Sequence, residues 1–352
     1  MANVSDAASA DAPRHGRRVL AFAYGLVLAC VVVVLAAVTL FGRGPSARLD
    51  LPPPPVRQAA VSRAPAMSTA TPASQPVGTP ITKPLYAGRA LLADPALIQN
   101  TPMGPLPRIA DDGRKPMSVY ATPVPAGKLR IAIVIGGLGL SAEKTQAALK
   151  GLPSAVTVAF APYQNDVEHW VGTARQLGHE VLLEVPMEPF DFPDSDPGPH
   201  TLRSGLGEEA NTQRLTWALT RITGYVGITN LMGGRLLCDP TSLSPVMTFL
   251  TRRGLLFFDD GTIAQSAAPD VAARIGAPFA QANERIDAVP SAPEVDRHLS
   301  DLEAQARATG RAIGSGRLYP VTIQRVADWA KGLAGRGFVL VPISAMMDAP
   351  KK

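Results

Sequence analysis

The chain has 352 residues, with 34 Lys/Arg against 29 Asp/Glu, long enough for one large domain or two ordinary ones. Residues 1–128 hold 13 basic against 6 acidic side chains and the remainder holds 21 against 23. The part able to fold therefore has no basic excess with which to grip a phosphate backbone, and nucleic acid is not an expected partner. Its two cysteines, Cys30 and Cys238, form neither a zinc pair nor a disulfide framework by spacing.

In chain order, residues 1–18 form a short tail in which Arg14, Arg17 and Arg18 precede a hydrophobic run. Val19 to Phe41 contains no charged residue and is long enough to cross ~30 Å of hydrocarbon as a helix. Only Arg43 and Arg48 follow closely, so the positive-inside rule places the N-terminus in the cytoplasm and the rest of the chain outside. The run exceeds the apolar core of about 7–15 residues typical of a cleavable signal peptide, which favours an uncleaved anchor. Residues 42–127 carry 17 of the 34 prolines, including Pro52 to Pro55. They are expected to form a disordered linker with extended stretches and a local helical patch between Arg89 and Ile98.

From residue 128 to 348 the pattern changes to short apolar runs alternating with amphipathic stretches, the pattern of βα units with parallel strands. Expected strands are Leu129–Ile135, Ala155–Ala161, Glu180–Val185, Val226–Leu231, Leu255–Asp259, a short one near Ala277–Ala280, Ala312–Gly314 and Phe338–Ile343. Ser141 is expected to cap a helix through Lys150, and Asp239 one that has Pro240 at its first position and Gly254 at its end. Thr322 is expected to cap a helix through Leu333. Seven or eight such units fit a (β/α) barrel better than an open sheet.

Chemistry is expected where these strands end. Gly137-Leu-Gly139-Leu-Ser-Ala142 matches a loose dinucleotide fingerprint, but no acidic residue closes the second strand, so no cofactor is expected and the glycines read as a tight turn. Glu184, Glu188 and Asp191 cluster where the third strand becomes a loop, as candidates for acid–base work or ligand hydrogen bonds. For Glu184, an internally satisfied carboxylate is an equal reading. Asp259 and Asp260 end the fifth strand, where adjacent residues point to opposite faces and only one of them meets the site. The seventh strand offers Ser315, Arg317 and Tyr319 to the same rim. His169 and His298 fall on expected helices, His179 before a strand and His200 in a loop, so no metal-ligand spacing is visible.

Residues 129 to about 346 resemble the divergent polysaccharide deacetylases. The likeness is carried by IAIVIGGLGLS, GHEVLLEVPMEPFD with DPGPHTL, YVGITNLMGGR and RGLLFFDDGT, followed by the AIG and LVPIS strands. The resemblance implies a deformed (β/α)7–8 barrel, a polysaccharide or peptidoglycan-type glycan as partner, and metal-assisted deacetylation. It also implies a single-pass inner-membrane protein with a periplasmic domain and room for an envelope protein partner. In such proteins the first strand ends in two aspartates, and the fourth and seventh carry histidines. Here Gly136 and Gly137 replace the aspartates, Leu231 replaces one histidine and Ser315 stands at the other, so no metal is expected. Glu188, Asn230, Met232, Gly233, Asp259 and Asp287 match and are expected to shape the cleft. Two readings stay open: a glycan-binding or interaction module without metal, and a hydrolase using Glu184, Glu188 and Asp260 for acid–base chemistry.

Overall fold

The structure is a computed structural model whose described residues are 93–347. The expected tail (1–18), membrane helix (19–41) and most of the expected linker lie outside them. Among the described residues no helix is long and apolar enough to cross a membrane.

The described chain begins with a 3-10 turn at Pro95–Leu97. Two short antiparallel strands follow, β1 (Ile98–Thr101) and β2 (Gly104–Pro107), and then a one-turn helix, α1 (Pro116–Val119). This corrects the expected spacer through residue 127 and the expected helical patch before Ile98. Leu97, Leu106, Ala110 and Tyr120 are buried, Met117 N–H donates to the Gly254 carbonyl at 3.0 Å, and Arg253 donates to the Pro107 carbonyl at 2.9 Å. Composition concealed this packing because the partners lie far along the chain.

Units of strand and helix follow: β3 (Leu129–Leu138), α2 (Ala142–Gly151), β4 (Thr157–Phe160), α3 (Val167–Gln176), β5 (Val181–Met187), α4 (Glu208–Leu219) and β6 (Gly227–Met232). Next come α5 (Gly234–Leu237), α6 (Pro240–Arg252), β7 (Leu256–Asp259), α7 (Ala268–Ile275), β8 (Phe279–Gln281) and β9 (Glu284–Arg285). The last are α8 (Ala292–Thr309), β10 (Arg311–Arg317), α9 (Pro320–Lys331) and β11 (Phe338–Leu340). Local chemistry explains several boundaries. Ser141 Oγ accepts from Lys144 N–H at the start of α2. Asp239 accepts from Thr241 N–H while Pro240 opens α6, and Gly254, at φ +69°, turns the chain after it. Thr322 is not a cap as expected: Pro320 starts α9 after Tyr319, and the buried Thr322 hydroxyl turns inward instead.

The strands form one parallel sheet in the order β8-β7-β6-β5-β4-β3-β10-β9, with β11 beside the first residues of β3. Its outermost strands, β8 and β9, belong to a single segment, Phe279–Arg285, that pairs with β7 at its start and with β10 at its end. The sheet is thus a curved α/β half-barrel whose open side is bridged by one stretch of chain.

Strand alternation sorts the apolar side chains into two layers. Ile131, Ile133 and Ile135 of β3, Leu183 and Val185 of β5, and Phe257 of β7 face the helices. Ala132, Val134, Ala159, Leu182, Leu256, Phe258 and Ile313 face inward, over a plug of Leu97, Tyr120, Val341, Ile343 and Met346. Continuing the inward positions one step along each strand predicts what stands at the C-terminal end. Those residues are Gly136 after Val134, Glu184 after Leu182, Asp260 after Phe258, and Ser315 then Arg317 after Ile313.

Candidate functional site

These inward residues line one small cavity at the strand ends, together with Ala159, Thr229, Asn230, Thr262 and Arg285. Its volume of about 20 Å³ suits a water molecule or a single polar group. Parallel pairing sets Arg317 directly beside Gly136 and Glu184 beside Thr229. Between them β4 presents only the methyl group of Ala159, leaving the space across which Glu184 and Arg317 meet.

Arg317 is the hub. Its Nη1 donates to Glu184 Oε1 at 2.8 Å, its Nη2 lies 3.4 Å from Asp260 Oδ2, and its backbone N–H donates to Asp287 Oδ2 at 2.6 Å. Burial works against the Arg317 charge, but Glu184, Asp260 and Asp287 outweigh it and hold its pKa above the ordinary guanidinium value. Glu184, only 1% exposed, also accepts the Gly137 N–H at 3.1 Å. Burial pushes its carboxyl up to about 7, Arg317 and the Gly137 N–H pull it down, and Asp260 adds to the rise. Glu184 Oε2 has no hydrogen-bond partner, and neither has the buried Thr229 Oγ1.

The glycine pair has a structural reason. A Cβ at Gly136 would stand 2.5 Å from Glu184 Oε1, so a side chain there displaces the carboxylate. Gly137, at φ +89°, takes a backbone conformation that side chains disfavour and directs its N–H at the same oxygen. Farther along, Gly139 N–H donates to Thr145 Oγ1 at 2.9 Å, the tight turn expected of a strand running into a close helix.

The other expected residues divide. Asp260 lines the cavity; its Oδ1 accepts from Thr262 N–H at 3.0 Å and from the Thr262 hydroxyl, and its N–H donates to Asn230 Oδ1. Asn230 Nδ2 in turn donates to the Met232 carbonyl at 2.8 Å, where Met232 holds φ +62°. Asp259 points to the other face, as alternation requires, and accepts from Gly261 N–H and Gln281 Nε2; it shapes no part of the cavity wall. Glu188 is also absent from that wall: its Oε2 accepts the Ser204 N–H at 2.7 Å and its Oε1 lies 3.7 Å from Arg235, so it anchors the loop after β5. Asp191 is exposed on that loop and accepts the Ser195 hydroxyl at 2.6 Å. Asp287 is buried beneath Arg317, where its Oδ2 also accepts the Thr322 hydroxyl at 2.9 Å. Sequence reasoning missed Thr229 and Arg285. Each has a signal of place, Thr229 facing Glu184 in register and Arg285 lying in the segment that bridges the sheet edges.

The profile of a divergent polysaccharide deacetylase matches residues 133–347. The chain belongs to that family. An uncharacterized protein, ATU2773, from Agrobacterium tumefaciens C58 has a crystal structure 41% identical with a TM-score of 0.68, covering 69% of this chain and 99% of its own. The uncharacterized protein YibQ of Escherichia coli K12 is 27% identical over 231 residues, 66% of this chain and 70% of its own. An uncharacterized protein of Haemophilus influenzae is 27% identical over 194 residues, 55% of this chain and 68% of its own.

The metal that the resemblance implies does not fit the residues present. Among the described residues no group of three or more His, Cys, Asp or Glu is placed to hold an ion. Leu231 and Ser315 supply no nitrogen, and Ser315 Oγ is engaged in donating to the Asp260 carbonyl at 2.6 Å. Glu184 fills the space a side chain at position 136 would need, and a guanidinium already lies between Glu184 and Asp260.

Proposed function

We propose that this protein is a single-pass inner-membrane protein whose periplasmic domain binds an envelope glycan without turning it over. One observation carries the reading: Arg317 is bonded to both carboxylates of the cavity, Glu184 and Asp260, in a family whose chemistry is expected to use a metal there. A carboxylate committed to a buried guanidinium is a poor proton shuttle, and removing that partner leaves an uncompensated buried charge. The mouth nevertheless suits a sugar. Leu140, Phe190, Met232, Val289 and Tyr319 are exposed, each just beyond the C-terminal end of a cavity strand or its neighbour. Apolar and aromatic surface of this kind packs against the C–H face of a pyranose while polar groups take its hydroxyls.

The test is a panel of envelope glycans offered to the full-length protein in detergent, read for affinity and for acetate or reducing-end release. Saturable binding without release is expected. One zinc per chain by elemental analysis, with acetate release abolished by a chelator, would overturn the reading. Topology is checked by protease protection in spheroplasts, where the domain is expected to be cleaved from the outside.

A hydrolase remains the second reading because Glu184, with a carboxyl pushed up to about 7 and Oε2 unpartnered, has the proton affinity of a general acid at neutral pH. Glu188, expected to share that role, stands outside the cavity. If release is seen without metal, Glu184→Gln and Asp260→Asn must each abolish it for this reading to stand.

A further inference from the structure

The cavity carries information about its occupant beyond the presence of a glycan. Two side chains at least nine-tenths buried, Glu184 and Thr229, bring atoms without hydrogen-bond partners, Oε2 and Oγ1, to its wall. A buried acceptor and a buried hydroxyl left unmatched cost free energy unless a bound group satisfies them. Such a group must donate a hydrogen to Glu184, exchange one with Thr229, and fit a volume of about 20 Å³. Water, a hydroxyl, an amide N–H and an ammonium all satisfy the first condition.

Charge and size separate them. The Glu184 carboxylate is already neutralised by Arg317 at 2.8 Å, and a second guanidinium, Arg285, also lines the cavity. Arg317 and Arg285 keep 24% and 35% of their side chains exposed, so an incoming group passes two cations. An ammonium meets like charge there in a partly desolvated setting, where Coulomb repulsion is poorly screened. An amide N–H brings its carbonyl and substituent into a space for one heavy atom. A hydroxyl is neutral, single-atomed, and both donor and acceptor.

We propose that this cavity is a hydroxyl-binding subsite for a neutral sugar, with Glu184 Oε2 accepting from the sugar hydroxyl, Thr229 Oγ1 pairing with it, and Arg285 and Arg317 excluding amino sugars that carry a free ammonium. This rests on the glycan-binding reading above and names the class of glycan it takes.

A matched pair of probes tests it: the β-1,4-linked tetramer of N-acetylglucosamine, which is neutral, and its fully deacetylated tetramer, which is cationic. Both are titrated calorimetrically into the full chain in detergent. The neutral tetramer is expected to bind at least about tenfold more tightly, one hydrogen bond's equivalent. Thr229→Val, which keeps shape and removes the hydroxyl, is expected to lower that affinity about tenfold with an unchanged thermal midpoint. Arg285→Met is expected to narrow the difference between the two probes. Equal binding of both tetramers by the wild-type protein overturns the proposal. So does a Thr229→Val variant that binds as the wild type does, since the cavity then holds an ordered water only; in that case glycan binding itself still stands. Binding of neither tetramer overturns the subsite together with the glycan reading.

Discussion

Glu180 and Glu184 lie four residues apart beside and within β5, both on its inward face and both almost wholly buried, yet they serve opposite ends of the half-barrel. Glu180, at the N-terminal end, is surrounded by neutral donors: Ser344 N–H at 3.0 Å and the Ser344 hydroxyl, Thr157 Oγ1 at 3.3 Å, and Thr122 N–H at 3.4 Å. Those donors come from segments on either side of the barrel strands, so this carboxylate fastens both ends of the folded chain to the sheet. Glu184, at the C-terminal end, has one oxygen engaged by a cation and a backbone N–H and the other unmatched. A saturated carboxylate is a structural clamp, whereas one with an unmatched oxygen beside a cavity is a site. The contrast follows the general rule that strand N-termini in such folds carry stability and strand C-termini carry function.

The largest break in this contrast comes from removing the cation. Arg317→Met strands Glu184 and Asp260 in a buried cluster, and the expected loss is about 3–5 kcal/mol of unfolding free energy, measured by urea titration at pH 7.5. Glu184→Gln combined with Arg317→Met is expected to recover part of that loss, because the double variant no longer buries the unpaired Glu184 charge. A double-mutant cycle that closes additively would show that the two side chains are not coupled.

The next effect belongs to the clamp. Glu180→Gln replaces an acceptor-only group with one whose amide faces the donors at Ser344 and Thr122, and about 1–3 kcal/mol is expected to be lost. Glycan affinity is expected to stay unchanged. A loss of affinity equal to that of a cavity variant would erase the distinction between the two ends.

A pH profile separates the two carboxylates further. The Glu184 carboxyl is raised from 4.5 to about 7 in the folded state, so the folded protein holds a proton there that the unfolded chain releases. Its contribution is fully present below about pH 4.5 and is lost as pH rises through about 7, by up to ~3 kcal/mol. Denaturant titrations at pH 4.5 and pH 7.5 are therefore expected to differ less in Glu184→Gln than in the wild type. A variant with the full wild-type slope would assign that dependence to other groups, such as Glu180 and Asp259, whose carboxyls burial also raises.

How much of this was legible depended on the range of the interaction. The parallel α/β fold and all its strands but β9 follow from runs of apolar residues, and alternation alone assigns Asp260 to the cavity and Asp259 away from it. Gly136, Glu184 and Arg317 were each visible as strand-end residues. Their meeting was not, because it depends on β10 lying beside β3 and on a small residue, Ala159, in the strand between. The hairpin of β1 and β2 was hidden for a similar reason: its prolines look like a spacer until Arg253 and Gly254, about 150 residues on, supply its partners. β9 spans two residues, too few to show a period. Glu188 was drawn into the site by its motif, whereas the backbone turns after Met187 and sends its carboxylate to Ser204 and Arg235.

The smallest expected effect tests the boundary of the site. Asp191 follows the same strand as Glu184 and sits among the acidic residues that suggested a ligand groove, but it is exposed and bonded only within its own loop, to the Ser195 hydroxyl and as carbonyl acceptor for Asp194. Asp191→Ala is expected to change stability by less than about 0.5 kcal/mol and to leave glycan affinity unchanged, because any pairing it makes is in water. A tenfold loss of affinity in this variant, with Thr229→Val silent, would move the site outward from the Arg317 cavity onto the loop after β5, and the unmatched Glu184 oxygen would then mark a buried water and nothing more.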